Sequence, residues 1–226
     1  DLRRGRPPTD ELLAELTGRY EAIGGLSPLA ALTEAQRDAL QRELDARSPG
    51  RFRVWLGLKH ANPMIEEAVG EIAASGAEKI VCLVLAPHYS TYSIGQYVGR
   101  ATAAAEPHGI PVVSVDSWAT ETAFVDFIAN DLRTKLADMP AATRVLFTAH
   151  SLPQRIIDGG DPYPNELRAT ATAVADRLGL REGEQWSIAW QSAGRTPEPW
   201  IGPDILEVID QLAADDADVR SEEHTS

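Results

Sequence analysis

The chain has 226 residues, of which 43% are hydrophobic and 24% are charged, enough for one large α/β domain or two small ones. Its formal net charge of −13 argues against a general binder of nucleic acid or of anionic membrane. A single cysteine, Cys82, excludes an intrachain disulfide and an iron–sulfur cluster, which needs several thiolates. Because Cys82 stands in an apolar run, we expect it to fill space in the core.

Helix and strand patterns alternate along the chain. The predicted helices cover about 9–20, 33–44, 62–76, 93–106, 121–138, 164–178 and 203–212, with Thr9 as the first N-cap and Thr33 with Gln36 as a capping-box pair opening the second. The predicted strands cover 52–58, 80–86, 111–115, 144–149 and 185–190. Strands spaced by helices of this length imply right-handed crossovers, so we predict an α/β fold with parallel sheets and place a domain boundary near Pro140.

Neither end of the chain has the pattern of a natural terminus. It begins with Asp1, and its last predicted helix has no following strand, so we expect truncation at both ends. The polar stretch 220–226 is what a sequencing-library adapter would encode in one frame, and we interpret it as a non-native tail. With no signal peptide and no apolar run of membrane-spanning length, we expect a cytoplasmic protein.

Three histidines stand just after predicted strands, where ligands of parallel α/β folds bind. They are His60, His88 and His150. His150 follows a strand directly and precedes Ser-Leu-Pro, so its imidazole is a candidate ligand for a divalent first-row metal. Each of these histidines could equally be a hydrogen-bonded loop residue.

A basic cluster near the start of this acidic chain is a candidate anion site. It contains Arg3, Arg4 and Arg6, with Arg19-Tyr20 downstream. Arginine binds carboxylates in bidentate fashion, and tyrosine adds an apolar face, although a solvated terminus explains the composition as well. The chain has no Gly-x-Ser-x-Gly elbow, dinucleotide fingerprint or P-loop, so serine-hydrolase and nucleotide-binding activities are disfavoured.

Taken together, these segments resemble the ferrochelatase family, and its bacterial coproporphyrin III branch in particular. The matching stretches, in family order, are Arg3-Arg4-Gly5-Arg6, residues 19–29, Gly57-Leu58-Lys59-His60, Ala86-Pro87-His88-Tyr89-Ser90, Ala149-His150-Ser151-Leu152-Pro153, Gly160-Asp161-Pro162-Tyr163-Pro164, Trp190-Gln191-Ser192 and residues 197–204. The set covers nearly the whole chain and is far more specific than any one motif.

The resemblance implies two Rossmann-like lobes, residues 1–140 and 141–219, with parallel sheets flanked by helices and a porphyrin cleft between the lobes. It implies insertion of Fe²⁺ into coproporphyrin III or protoporphyrin IX in haem biosynthesis, with Fe²⁺ as substrate, no iron–sulfur cluster and no nucleotide. By position, His150 matches the catalytic, metal-binding histidine. The porphyrin-contacting matches are Arg3, Arg19, Tyr20, Ser27 and Tyr97, and the cleft-lining matches are Lys59 and His60.

The family pairs its histidine with a glutamate that would follow Val219. That segment is absent here, so we expect this polypeptide to insert iron poorly. Porphyrin is the expected partner of a monomeric protein, with no nucleic acid and no transmembrane segment. The alternatives are another tetrapyrrole metal chelatase, a porphyrin- or iron-binding module without turnover, and a plain nucleotide-binding module.

Overall fold

The computed structural model describes residues 9–25, 27–194 and 196–214. In chain order the elements are α1 (Asp10–Ala22), α2 (Leu29–Arg47), α3 (Ile65–Ala74), β1 (Ile80–Leu83), α4 (Ile94–Ala105), a 3₁₀ turn (Glu106–His108), β2 (Val112–Val115), α5 (Thr122–Leu136), β3 (Val145–His150), α6 (Gln154–Asp158), α7 (Tyr163–Leu178), β4 (Trp186–Gln191) and α8 (Ile205–Ala214). The predicted α/β fold class is confirmed: short strand pairs are flanked by helices.

The strands β3 and β4 form a parallel pair whose register runs from Val145 opposite Trp186 to His150 opposite Gln191. Side chains alternate between the two faces of a strand. On one face, Val145 packs with residues of α7, and Phe147, Leu132 and Leu136 lie against the same cluster. On the other face, Leu146 packs with α8. This sheet is therefore covered by helices on both sides, as is usual for parallel strands.

The helix boundaries follow recognisable capping chemistry. The Thr9 hydroxyl accepts a hydrogen bond from the Leu12 amide at 3.3 Å, which confirms the predicted first N-cap. The predicted capping box at Thr33 is wrong, because α2 begins at Leu29 and the Thr33 hydroxyl donates back to the Leu29 carbonyl at 2.8 Å. A hydroxyl that bonds one turn back inside a helix cannot cap its start.

The segment 52–58 does not form the predicted strand, apart from an isolated bridge between Leu58 and Met64. Its backbone bonds instead to one side chain of α2. The Gln41 amide donates to the Phe52 carbonyl at 3.0 Å and accepts from the Val54 amide at 2.7 Å. A glutamine offers one donor and one acceptor side by side, so it satisfies these groups as a neighbouring strand would.

The chain divides into two compact units: residues 1–80 with 100–112, and residues 81–99 with 113–226. The boundary that we place near Pro140, and with it the two-lobe division, stays a prediction. Within the described ranges, no helix has the length and apolar character needed to cross a membrane.

Candidate functional site

His150 is the last residue of β3 and is exposed at the carboxyl end of the parallel pair. By strand alternation it shares a face with Leu146 and Thr148. Its partner in the register is Gln191, the last residue of β4. Ligands of parallel sheets bind beyond these strand ends. The structure therefore presents the imidazole at the edge where the sequence predicts chemistry.

The segment after His150 is held by a dense set of hydrogen bonds. The Ser151 amide donates to the Gln191 carbonyl at 2.7 Å, and the Ser151 hydroxyl, itself buried, donates to the Ile201 carbonyl at 2.8 Å. The Ile201 amide donates to Leu152, and the Gln154 amide donates to Pro199, each at 2.9 Å. These bonds fix the backbone on the carboxyl side of the histidine, which limits where its ring can point.

The loop after β4 lies beside this strand end and begins with an unusual backbone conformation. Ser192, which follows the partner of His150, has a φ of 60°. Few non-glycine residues adopt this left-handed region, and such outliers are often found at functional sites. Farther along, Gly194 lies under the Trp200 ring: a Cβ on Gly194 would come within 2.3 Å of that ring. The loop is thus closed by a contact that only glycine permits.

Three of the predicted porphyrin contacts lie in the first compact unit around the turn between α1 and α2. Arg19 pairs with Glu15 and is exposed, as is the neighbouring Tyr20. The Tyr20 carbonyl accepts from the Gly25 amide at 2.8 Å, and Gly25 has a φ of 105°. The Ser27 hydroxyl accepts from the amide of Leu29, the first residue of α2, at 3.2 Å. Arg3 lies outside the described residues.

Lys59 and His60 lie in a loop of the same unit that Arg100 of α4 holds in place. Arg100 donates to the Lys59 carbonyl at 2.9 Å and forms a bidentate pair with Glu66 at 2.6 and 2.7 Å. The hydrogen bond from Arg100 lowers the pKa of Glu66. The pKa of His60 is also lowered, first by desolvation and then by the positive charges of Lys59 and Arg100. This loop therefore presents Lys59 beside an imidazole that favours its neutral form.

Tyr97 belongs to the second compact unit and lies near the start of α4, half-buried. Its amide donates to the Ser93 carbonyl at 3.3 Å. The loop before this helix, residues 87–93, bonds at successive positions to Asp161 and to α7. The Tyr89 amide donates to Glu166 at 2.6 Å, and Glu166 also accepts from the Ser117 hydroxyl at 2.8 Å.

His88 faces Thr170 of α7 instead of solvent. Its Nε2 lies 2.9 Å from the Thr170 hydroxyl oxygen, and that hydroxyl lies 2.6 Å from the Ala119 carbonyl. Because the hydroxyl has one proton, which it donates to Ala119, the ring nitrogen must be the donor to Thr170. Burial lowers the pKa of His88 to about 4. Of the open alternatives for His88, the hydrogen-bonded structural role fits this geometry.

Two aromatic rings continue from His88 towards the sheet. Tyr163 meets His88 edge to face at 6.2 Å between ring centroids and lies 5.8 Å from Trp190. Burial, and then the nearby Asp161, raises the pKa of Tyr163 to about 12. The sequence alone does not predict that His88, Tyr163 and Trp190 lie together, because they belong to different elements. The available sequence signal was the spacing of Glu166 and Thr170, the α7 residues that bond to the loop containing His88, which puts both on one helix face.

The described residues contain no group of three or more histidine, cysteine, aspartate or glutamate side chains arranged to hold a metal ion. His150 thus belongs to no such cluster within the described residues. An imidazole nitrogen can bind a metal ion and release it, or accept a proton. Burial, followed by the charge of Asp116, raises the pKa of Cys82, which opposes its use as a thiolate ligand.

Comparison with known proteins supplies an independent test. The sequence model of the ferrochelatase family matches residues 8–220. The chain is 45% identical to the coproporphyrin III ferrochelatase of Geobacillus kaustophilus over 217 residues, which are 93% of this chain and 68% of that protein. It is 42% identical to the coproporphyrin III ferrochelatase of Oceanobacillus iheyensis over 93% of this chain and 68% of that protein. The ferrochelatase of Herpetosiphon aurantiacus is 42% identical, over 95% of this chain and 72% of its own length.

Proposed function

Because this chain belongs to the ferrochelatase family, we propose that it inserts Fe²⁺ into coproporphyrin III, with His150 as the residue that handles the metal. The observation that carries this proposal is the placement of His150: it is exposed at the end of β3, on a backbone held from Ser151 to Gln154. A metal-handling ligand needs both access for the ion and a fixed direction.

Metal insertion exchanges one Fe²⁺ for two pyrrole protons, so the site must deliver a cation and accept protons. A neutral imidazole can serve in either role, through the same lone pair at different moments. The macrocycle brings carboxylates that need cationic partners, and Arg3 and Arg19 are the proposed ones. Tyr20, Ser27 and Tyr97 are proposed to contact the ring, with Lys59 and His60 lining the cleft. Porphyrin is therefore the proposed partner.

The substrate is proposed to be coproporphyrin III in preference to protoporphyrin IX. Coproporphyrin carries four carboxylates, whereas protoporphyrin carries two. Because the chain as a whole is acidic, a preference for the substrate with more carboxylates must come from local arginines. The sequences named as coproporphyrin III ferrochelatases at 42% and 45% identity favour the same choice.

The test is an iron-insertion assay with His150→Ala, run beside porphyrin titrations followed by fluorescence quenching. Removing the metal-handling imidazole should lower the insertion rate at least about a hundredfold, while the porphyrin Kd stays within about twofold. His108→Ala is the matched control, because His108 is another exposed histidine but lies on the 3₁₀ turn. Equal insertion rates in wild type and His150→Ala would refute the assigned role.

The same assay separates the alternatives. A binding module without turnover would quench porphyrin fluorescence but show no insertion that depends on His150. Another tetrapyrrole chelatase would prefer a metal other than Fe²⁺ across a panel of divalent ions. The expectation that this polypeptide inserts iron poorly is tested by its absolute turnover, and turnover like that of the full-length relatives would overturn it.

A further inference from the structure

Asp161 is a buried carboxylate, 7% exposed, and both of its oxygens accept hydrogen bonds. One oxygen, Oδ2, accepts from the Thr91 amide at 2.8 Å, the Thr91 hydroxyl at 2.8 Å and the Ser90 hydroxyl at 3.1 Å. The other, Oδ1, accepts from the Tyr163 amide at 3.1 Å. The carboxylate therefore joins the loop before α4 to the first residue of α7.

The loop that Asp161 holds also supports the start of α4. The Ser90 carbonyl accepts from the Ser93 amide at 3.1 Å and the Gly95 amide at 3.0 Å. Two of the orphan amides at the helix start are thereby satisfied. A Cβ on Gly95 would approach the Tyr89 hydroxyl to 3.2 Å, so loop and helix fit closely. Tyr97 lies in the first turn of this helix.

Asp161 is also the last residue of the segment that begins at His150. That segment passes through α6, and the Gly160 amide donates to the Ile157 carbonyl at 2.8 Å just before Asp161. We infer that Asp161 is a positioning residue for porphyrin binding: through Thr91 and Ser90 it sets the first turn of α4, and with it Tyr97. This inference rests on the proposed function, because it takes Tyr97 as a porphyrin contact.

The chemistry of the position requires a carboxylate. All four groups that face Asp161 are donors. An asparagine has one acceptor and one NH₂ group, so either orientation sets its donor against another donor. Leaving donors unpaired at a buried site costs far more than losing one exposed hydrogen bond. Asp161→Asn should therefore loosen the loop and shift Tyr97 without changing the size of the side chain.

The experiment measures the coproporphyrin Kd of Asp161→Asn and Thr91→Val by fluorescence titration, each alone and combined with Tyr97→Ala. Thr91→Val removes only one donor to the carboxylate, so it tests the inference even if Asp161→Asn does not fold. Each single variant should raise the Kd at least about tenfold, the scale of one lost hydrogen bond to a charged group. In the Tyr97→Ala background the same changes should have no further effect, because the coupling runs through Tyr97.

Two controls make the result decisive. Thr91→Ser keeps the hydroxyl donor and should bind like wild type, and Asp176→Asn alters an exposed carboxylate on α7 and should do the same. Lower melting temperatures with an unchanged Kd, or Kd effects that add to that of Tyr97→Ala, would overturn the inference. If wild type binds no coproporphyrin, the proposed function fails; if it binds and responds to Arg19→Ala but not to Asp161→Asn, only this inference fails.

Discussion

The His88 imidazole couples the stability of the second compact unit to pH. Its pKa falls from the ordinary 6.5 to about 4 because burial disfavours the charged ring. Below pH 6.5 the unfolded chain binds a proton on this ring that the folded protein does not bind until about pH 4. The free energy of unfolding therefore falls as the pH falls through this window. Each unit of pKa corresponds to about 1.4 kcal/mol, and partial exposure of the ring reduces the total to about 2 kcal/mol.

We predict that His88→Gln removes this contribution to the pH dependence. The glutamine amide still donates to Thr170, so stability near pH 7.5 should change by no more than about 1 kcal/mol. Between pH 6.5 and 4, urea unfolding of the variant should lose about 2 kcal/mol less than wild type does. His108→Gln is the control, because His108 is exposed and its loss should leave the slope unchanged. A slope equal to wild type in His88→Gln would show that the ring is not held neutral.

At the scale of elements, the loop after β4 is closed by Trp200 lying on Gly194. The Trp200 indole also donates to the Thr196 hydroxyl at 2.9 Å, so the ring is held from within its own loop. The same stretch bonds to the residues that follow His150. A disturbance of this contact should reach the candidate metal site through the backbone.

We predict that Gly194→Ala destabilises the protein by about 1–3 kcal/mol, the usual cost of overpacking. The new Cβ would come within 2.3 Å of the Trp200 ring, so ring or loop must move. The shift should appear as a change in tryptophan emission together with a lower melting temperature. Gly18→Ala is the opposite control: Gly18 lies inside α1 with open space around it, and alanine there should stabilise by about 0.5–1 kcal/mol. Equal effects of the two changes would contradict the packing argument.

The elements that the sequence predicts well are those whose pattern is local. The apolar run of β3, the N-cap at Thr9 and the position of His150 at a strand end all follow from neighbouring residues. The strand predicted at 52–58 fails because its backbone groups bond to Gln41, a partner that periodicity cannot reveal. The five-residue helix α6 is too short to show a helical period.

The contacts around the candidate site are harder to predict because they join distant parts of the chain. From its sequence context, Asp161 is predicted to lie in a turn before a helix. No neighbouring residue indicates that it accepts hydrogen bonds from the hydroxyls of Ser90 and Thr91. The strained backbone of Ser192 is likewise imposed by its surroundings and not by its residue type. Sequence therefore indicates which residues are candidates for chemistry, whereas tertiary packing determines how their side chains are oriented.

At the scale of the whole molecule, the net charge of −13 has opposite effects on the two proposed substrates. The long-range field attracts Fe²⁺ and repels the carboxylates of coproporphyrin. Salt shortens this field: the Debye length falls from about 30 Å at 0.01 M to about 8 Å at 0.15 M. Among the residues proposed to bind the carboxylates, Arg19 is already paired with Glu15. The local positive field that could offset the net repulsion is therefore partly neutralised at that position.

We predict that the association rate of coproporphyrin rises about two- to tenfold between 0.01 and 0.15 M salt, because screening removes repulsion during approach. The dissociation rate should also rise, since contacts between arginine and carboxylate weaken in salt. Stopped-flow fluorescence measures both rates, and the uncharged tetramethyl ester of coproporphyrin is the matched control, with an association rate that salt should leave unchanged. An association rate that falls with salt would mean that local arginines steer the ligand despite the net charge, and Arg19→Ala should then abolish the dependence.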